Sequence, residues 1–263
     1  MIVVGIDCGS QNTRGVLLRN GEPVAKAQVL TEFDANIAAT RVLRQLFIDA
    51  SVTDPSEVKE IAVTGGGKDL IDFASLEVSE SNAASHGTHF YFPEADAVID
   101  MGAEGSRAVK INPNGSAFSY ETNDKCASGA GVFIENMARC LEVTIEEMGP
   151  LSLKHTKEEP MNVQCVVFAE SEVISMIHRN ETAENIAYSI HAGVVNRMMS
   201  MIKRLGSAGK YVFIGGPSLN EGLIQCLRQA VDGEIIVNTE HSRYISALGA
   251  ALVAENRTAG TEG

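Results

Sequence analysis

The chain contains no tryptophan and only 5% aromatic residues. Basic residues are also short. Twenty-one Lys and Arg stand against 34 Asp and Glu, a formal net charge of −13. That balance excludes nucleic acid or an anionic membrane as the main partner. It leaves phosphate ligands open, because backbone N–H groups bind phosphate without a cation. No apolar run approaches the ~18 residues of a bilayer span. Residues 1–18 are interrupted by Asp7 and Arg14 and do not read as a signal peptide, so a cytoplasmic location is expected. The five cysteines, Cys8, Cys126, Cys140, Cys165 and Cys226, are odd in number and contain no C-x-x-C spacing. Zinc ribbons and thioredoxin-like sites are thereby excluded.

What is present is an ordinary globular composition, 44% hydrophobic and 21% charged over 263 residues, enough for two small domains. Hydrophobic patterning predicts strands at 2–6, 13–18 and 22–30, with Asn20-Gly21 as a hairpin turn. A helix follows over 35–50, with Ile37, Val42, Leu43, Leu46 and Phe47 at helical spacing. A short strand at 61–64 then runs into Gly65-Gly66-Gly67. A second cycle starts near Ala97, with strands at 97–100, 106–111 and 117–122 and a helix from about 128 to 141. Residues 163–167 lead into a helix that ends near Arg179. Thr182 caps a long amphipathic helix carrying Ile186, Ile190, Val194, Met198 and Ile202, and Gly206 stops it. Strands at 211–214 and 235–237 and a closing helix at 246–255 complete the pattern, with 257–263 read as a disordered tail. The recurrence of strand, glycine turn, strand implies an α/β chain with an internal structural duplication.

Three segments could bind a nucleotide. Gly5-Ile6-Asp7-Cys8-Gly9-Ser10-Gln11-Asn12-Thr13 delivers an aspartate from a buried strand into a tight polar turn. The amides of such a turn can face a phosphate, and Asp7 can hold Mg²⁺ as a hard oxygen ligand. Cys8 falls inside this turn. Asp100-Met101-Gly102-Ala103-Glu104-Gly105 repeats the arrangement, with Asp100 and Glu104 as acidic candidates. In Gly215-Gly216-Pro217-Ser218-Leu219-Asn220, two glycines after a strand let a flat base approach the backbone. Together the three resemble the actin/hexokinase/Hsp70 type of ATPase. That resemblance implies a duplicated βββαβα, ribonuclease-H-like fold with two subdomains around a nucleotide cleft, here 1–94 plus 245–263 and 95–244. A P-loop is excluded because Ala62 and Asp69 stand where glycine and Ser/Thr are required. The dinucleotide fingerprint fails at Ile134.

Two cysteines each precede a predicted helix, where the positive helix end favours thiolate. Their contexts are Cys-Ala-Ser-Gly-Ala-Gly-x-Phe-x-Glu-x-Met-Ala from Cys126 and Cys-Val-Val-Phe-Ala-Glu-Ser-Glu-Val-Ile-Ser from Cys165. These segments resemble the 2-hydroxyacyl-CoA dehydratase activators and the ATPase subunits of benzoyl-CoA reductase, and the resemblance covers nearly the whole chain. It implies that Cys126 and Cys165 are iron–sulfur ligands. A [4Fe–4S] cluster takes four thiolates, and Cys140 lies ~21 Å along a helix from Cys126. Two ligands would therefore come from a second ATPase subunit, a paralogue or the chain itself. The Gly102-Ala103-Glu104-Gly105 turn departs from the Gly-Gly-Gln-Asp type of the dehydratase activators and looks more like the smaller benzoyl-CoA reductase ATPase subunit.

The family likeness further implies ATP turnover, an electron from a ferredoxin-like donor, and transfer to a catalytic acyl-CoA reductase or dehydratase. Gly129 and Gly131 would approach the γ-phosphate. Glu135, seven residues after Ser128 and on the same helix face, is a candidate for the ribose or simply a solvated glutamate. The rivals are a small-molecule kinase of the same superfamily and a non-catalytic nucleotide sensor.

Overall fold

The computed structural model describes residues 1–123, 131–159, 161 and 166–261. The chain forms two compact units: Met1–Val98, Val109–Phe118 and Arg243–Gly263 make the first, and Ile99–Ala108 and Ser119–Ser242 the second.

The first unit is built on a five-stranded sheet of β1 (Ile2–Cys8), β2 (Asn12–Arg19), β3 (Glu22–Leu30), β4 (Val58–Thr64) and β5 (Leu76–Glu77), in the order β3-β2-β1-β4-β5. β1 and β2 pair antiparallel with Asp7 opposite Arg14 and Cys8 opposite Thr13. β1 pairs parallel with β4, placing Thr64 beside Asp7. Asn20 and Gly21 both have positive φ, 53° and 82°, as the two-residue turn between β2 and β3 requires. Period-two alternation sends Val4, Ile6 and Leu17 to one face, where α1 (Ala35–Asp49) covers them with Val42 and Leu46. Val3, Val16 and Ala62 go to the other face, under Ala247, Leu248, Ala250 and Ala251 of α8 (Ile245–Thr261) and Ala83 of α2 (Glu80–Tyr91).

A second five-stranded sheet has the order β10-β9-β6-β7-β8, from β6 (Ala97–Met101), β7 (Ser106–Ile111), β8 (Ala117–Asn123), β9 (Lys210–Ile214) and β10 (Glu234–Ile236). The helices of the second unit are α3 (Gly131–Cys140), α4 (Ile145–Ser152), α5 (Val166–His178), α6 (Ala183–Leu205) and α7 (Glu221–Ala230). α6 is capped as its sequence predicts. Thr182 accepts the Asn185 amide, and Gly206, at φ 87°, ends the helix.

The structure corrects the predicted pattern in several places. Helices α2, α4 and α7 were not expected. The closing helix continues to Thr261, so residues 257–261 are helical rather than a disordered tail. Thr258 Oγ1 donates to the Ala254 carbonyl at 2.8 Å, and Arg257 pairs with Glu60 at 3.4 Å, which ties this end to β4. Cys8 is the last residue of β1, with no exposed surface, and not a member of the turn. Among the described residues no helix is long and apolar enough to cross a membrane.

Candidate functional site

The first unit presents its aspartate turn at the end of β1. The Gly9 amide donates to the Asn12 carbonyl at 3.1 Å, so Ser10 and Gln11 form a two-residue loop. Other elements hold this loop from several sides. Thr31 Oγ1 donates to the Gly9 carbonyl at 2.7 Å, the Thr31 amide donates to the Gln11 carbonyl at 3.0 Å, and the Gly67 amide donates to the Cys8 carbonyl at 2.9 Å. Thr13 is buried with its hydroxyl 3.0 Å from that of Thr31, and the Asn12 carboxamide oxygen accepts from Gln28 at 3.0 Å. Thr13 and Asn12 therefore brace the turn, while Ser10 is exposed. Gly65, at φ 89°, lies against Asp7. A Cβ there would stand 2.6 Å from Asp7 Oδ1.

The second unit repeats this geometry. The Gly102 amide donates to the Gly105 carbonyl at 2.8 Å, leaving Ala103 and an exposed Glu104 at the tip. Asp100, with 13% of its side chain exposed, pairs through Oδ2 with Arg107 at 3.2 Å. The turn's carbonyls then receive the start of α3. The Gly131 amide donates to Gly102 and the Val132 amide to Ala103, both at 2.9 Å. The double-glycine turn closes on the same place. A Cβ on Gly131 would lie 3.1 Å from Pro217 Cγ, and one on Gly215 would strike the Met101 carbonyl and lie 3.3 Å from Asp100 Oδ1. Among the described residues nothing fills the space where a Gly216 Cβ would be, a gap beside a backbone that a flat ring can approach. Asp100, Gly102, Ala103, Gly131, Gly215, Gly216 and Pro217 are thus brought together. Glu135 lies one turn further along α3 and is half-buried. Asn220 caps α7 by accepting the Leu223 amide at 3.0 Å.

One feature escaped sequence inspection although its signal was present. Asp7 faces Arg14 across the β1–β2 ladder, and Asp100 pairs with Arg107. The spacing of seven is the same in both turns.

Cys126, Cys165 and Gly129 lie outside the described residues. Two of the three described cysteines, Cys8 and Cys226, are buried, whereas metal thiolate chemistry uses an accessible, deprotonated sulfur. Burial, reinforced by Asp7, pushes the Cys8 thiol up to about 12. Burial, reinforced by Glu158, pushes Cys226 up to about 11. Cys140 is also raised, by burial and then Glu170. Among the described residues no three His, Cys, Asp or Glu side chains converge on a metal position.

The model of the BadF/BadG/BcrA/BcrD ATPase family matches residues 4–254. The 2-hydroxyisocaproyl-CoA dehydratase activator of Clostridioides difficile is 34% identical over 254 residues, covering 97% of this chain and 95% of the relative. One of the subunits of the benzoyl-CoA reductase of Thauera aromatica is 32% identical over 261 residues, covering 95% and 92%. The solved activator of the 2-hydroxyisocaproyl-CoA dehydratase from Clostridium difficile with bound ADPNP matches with a TM-score of 0.91 at 33% identity, covering 100% of this chain and 97% of that one. The fold is that of the actin/hexokinase-like ATPases.

Proposed function

The chain belongs to the BadF/BadG/BcrA/BcrD ATPase family, and we propose that it is an ATP-hydrolysing electron activator of an acyl-CoA dehydratase or reductase. The observation that carries this function is the convergence, in the second unit, of the Asp100 turn, the start of α3 and the Gly215-Gly216 turn. Asp7 and Asp100 would each offer a carboxylate oxygen to a magnesium ion or its bound water, the hard-cation chemistry that a nucleotide's phosphates need. The loop amides that the turn-closing bonds leave over, at Ser10 and Gln11 and at Ala103 and Glu104, are the ones offered to phosphate oxygens. Gly215, Gly216 and Pro217 seat the adenosine, and Glu135 reaches the ribose.

A [4Fe–4S] cluster held by Cys126 and Cys165, together with two thiolates of a second subunit, would supply one-electron chemistry. Cys8 and Cys226 are buried, which leaves them poorly placed to reach a cluster shared with a second chain. A link to ATP turnover lies in α3. Its first two described amides are bonded to Gly102 and Ala103, so a shift of the phosphate turn carries the helix start with it. Cys126 lies five residues before Gly131 in sequence. Nucleotide hydrolysis then alters the setting of one ligand, which is the coupling an uphill electron transfer needs. The donor is ferredoxin-like and the setting cytoplasmic.

Two partner enzymes fit. The relative at 34% identity and the ADPNP-bound neighbour favour a 2-hydroxyacyl-CoA dehydratase, and we adopt that partner, with the chain pairing with a second copy of itself. The Gly102-Ala103-Glu104-Gly105 turn and the relative at 32% identity favour benzoyl-CoA reductase, with a paralogous ATPase subunit.

The test is iron, sulfide and ATPase measurement on protein prepared without oxygen. About four iron per dimer, with partner reduction that requires ATP, is expected. Absence of iron, or reduction of the partner without nucleotide, refutes the proposal, and a kinase or sensor would carry no iron.

A further inference from the structure

His191 lies in the middle of α6 with no exposed surface, and its two ring nitrogens serve different helices. Nδ1 is 3.0 Å from Ser152 Oγ at the end of α4. Nε2 is 3.0 Å from Asn220 Nδ2 at the start of α7. The direction of each bond follows from its partners. Asn220 Oδ1 already accepts the Leu223 amide, and its Nδ2 can only donate, so His191 Nε2 is the acceptor. The ring proton therefore sits on Nδ1 and goes to Ser152 Oγ. Ser152 in turn donates its own hydrogen to the Gly149 carbonyl at 2.9 Å. One neutral tautomer satisfies every member of the chain. Burial keeps the ring in that form, pushing its pKa down to about 3.

The surrounding backbone is shaped to this network. A Cβ on Gly222 would run into Ser152 Oγ and stand 2.8 Å from His191 Nδ1. A Cβ on Gly149 would stand 3.0 Å from Asn220 Oδ1 and 3.1 Å from the Glu221 amide. Two facing glycines thus let α4 and α7 meet around the Ser152–His191 pair. The network ends on the double-glycine turn, because the Asn220 amide donates to the Pro217 carbonyl at 3.0 Å and closes the short 3-10 helix Gly216–Leu219.

We propose that His191 is a positioning residue for nucleotide binding: through Ser152 and Asn220 it holds the Gly215–Asn220 turn against α4 and α6. This rests on the assignment of that turn to adenosine. His191→Asn keeps a donor toward Ser152 and loses the acceptor for Asn220. Ser152→Ala cuts the network at its far end, remote from the turn. Each substitution removes a buried hydrogen bond, so each should raise the Kd for ADP about fivefold to tenfold. Inorganic tripolyphosphate, which has no adenosine, should compete with ATP as well as it does in the wild type. His191→Gln, which restores an acceptor toward Asn220, should recover most of the ADP affinity.

The experiment is calorimetric titration of full-length wild type and the three variants with ADP, alongside tripolyphosphate inhibition of ATPase and urea unfolding. Unchanged ADP affinity in both His191→Asn and Ser152→Ala overturns the inference. So does an equal loss for ADP and tripolyphosphate, which would mark a general folding role. Wild type that binds tripolyphosphate but not ADP overturns the adenosine assignment and this inference with it.

Discussion

Two adjacent glycines make opposite demands, and alanine at each separates folding from binding. Gly215 has φ 95° and ψ 179°, a region essentially restricted to glycine, where a side chain costs about 1–3 kcal/mol. A Cβ there also strikes the Met101 carbonyl. Gly215→Ala should therefore lower the melting temperature of the ligand-free protein, by roughly 2–4 °C per kcal/mol in a chain of this size. Gly216 carries no such strain, and among the described residues nothing lies within 4 Å of where its Cβ would be. Gly216→Ala should leave stability unchanged or raise it by about 0.4–1 kcal/mol through the unfolded chain. If adenosine occupies that open space, the added methyl collides with ligand. An overlap of ~1–3 kcal/mol raises the ADP Kd about 5- to 150-fold. Differential scanning fluorimetry without ligand and calorimetric titration with ADP read the two effects separately. Gly216→Ala protein with wild-type ADP affinity refutes the placement of adenosine at this turn. Gly215→Ala protein with wild-type melting refutes the strain argument.

Asp7→Ala and Asp100→Ala should each abolish ATP hydrolysis in a coupled phosphate-release assay while anaerobic iron content is retained. Cys126→Ser and Cys165→Ser should each lose iron and the low-temperature EPR signal, because a hydroxyl is a poor substitute for a soft thiolate. Cys140→Ala and Cys226→Ala should keep full iron. For pH, the folded pKa of His191 lies near 3, below the ordinary value of 6.5. Its neutral form is the one the fold favours, so its contribution is complete above about pH 6.5 and is lost as pH falls toward 3. The urea midpoint of wild type should decline between pH 6.5 and 4 more steeply than that of His191→Gln.

Much of the architecture is legible in the sequence because pattern and caps agree. α6 has an N-cap threonine, aliphatic residues four apart and a terminal glycine, and each acts as its type predicts. The strands flanking both aspartate turns are short aliphatic runs bounded by glycine. The helices that escaped notice lack those signals. α2 is rich in Ser, Asn, His, Gly and Thr, which form helices poorly. It is helical because its small residues pack on α8, where Gly87 and Gly249 bring the backbones together. α4 contains Gly149 and Pro150, which read as breakers. Its real signature is the capping box of Thr144 and Glu147. α7 is hidden because Asn220 reads in sequence as part of the ligand turn, whereas its oxygen serves as helix cap. The Ser152–His191–Asn220 network could not have been read, since it joins three helices far apart in sequence.

The duplication runs deeper than the order of strands. The Gly9–Asn12 and Gly102–Gly105 bonds fix equivalent positions in the two hairpins. Gly9 then matches Gly102, Ser10 matches Ala103, and Gln11 matches Glu104. Beyond the loops Thr13 matches Ser106, and Arg14 matches Arg107. The glycine at the head of each turn and the Asp–Arg pair below it are shared, while the tips differ in charge. The shared pair has a physical use in a chain of net charge −13. A carboxylate alone at a phosphate turn repels its ligand, and a guanidinium opposite it offsets that charge. In the second hairpin the division of labour is explicit. Arg107 engages Oδ2 of Asp100, and the Oδ1 side lies toward Gly215. Such a pairing fixes the carboxylate rotamer before any ligand arrives, which is what a preorganised magnesium or phosphate site requires. The tips, Ser10-Gln11 against Ala103-Glu104, are then free to differ, and only the second carries a charge.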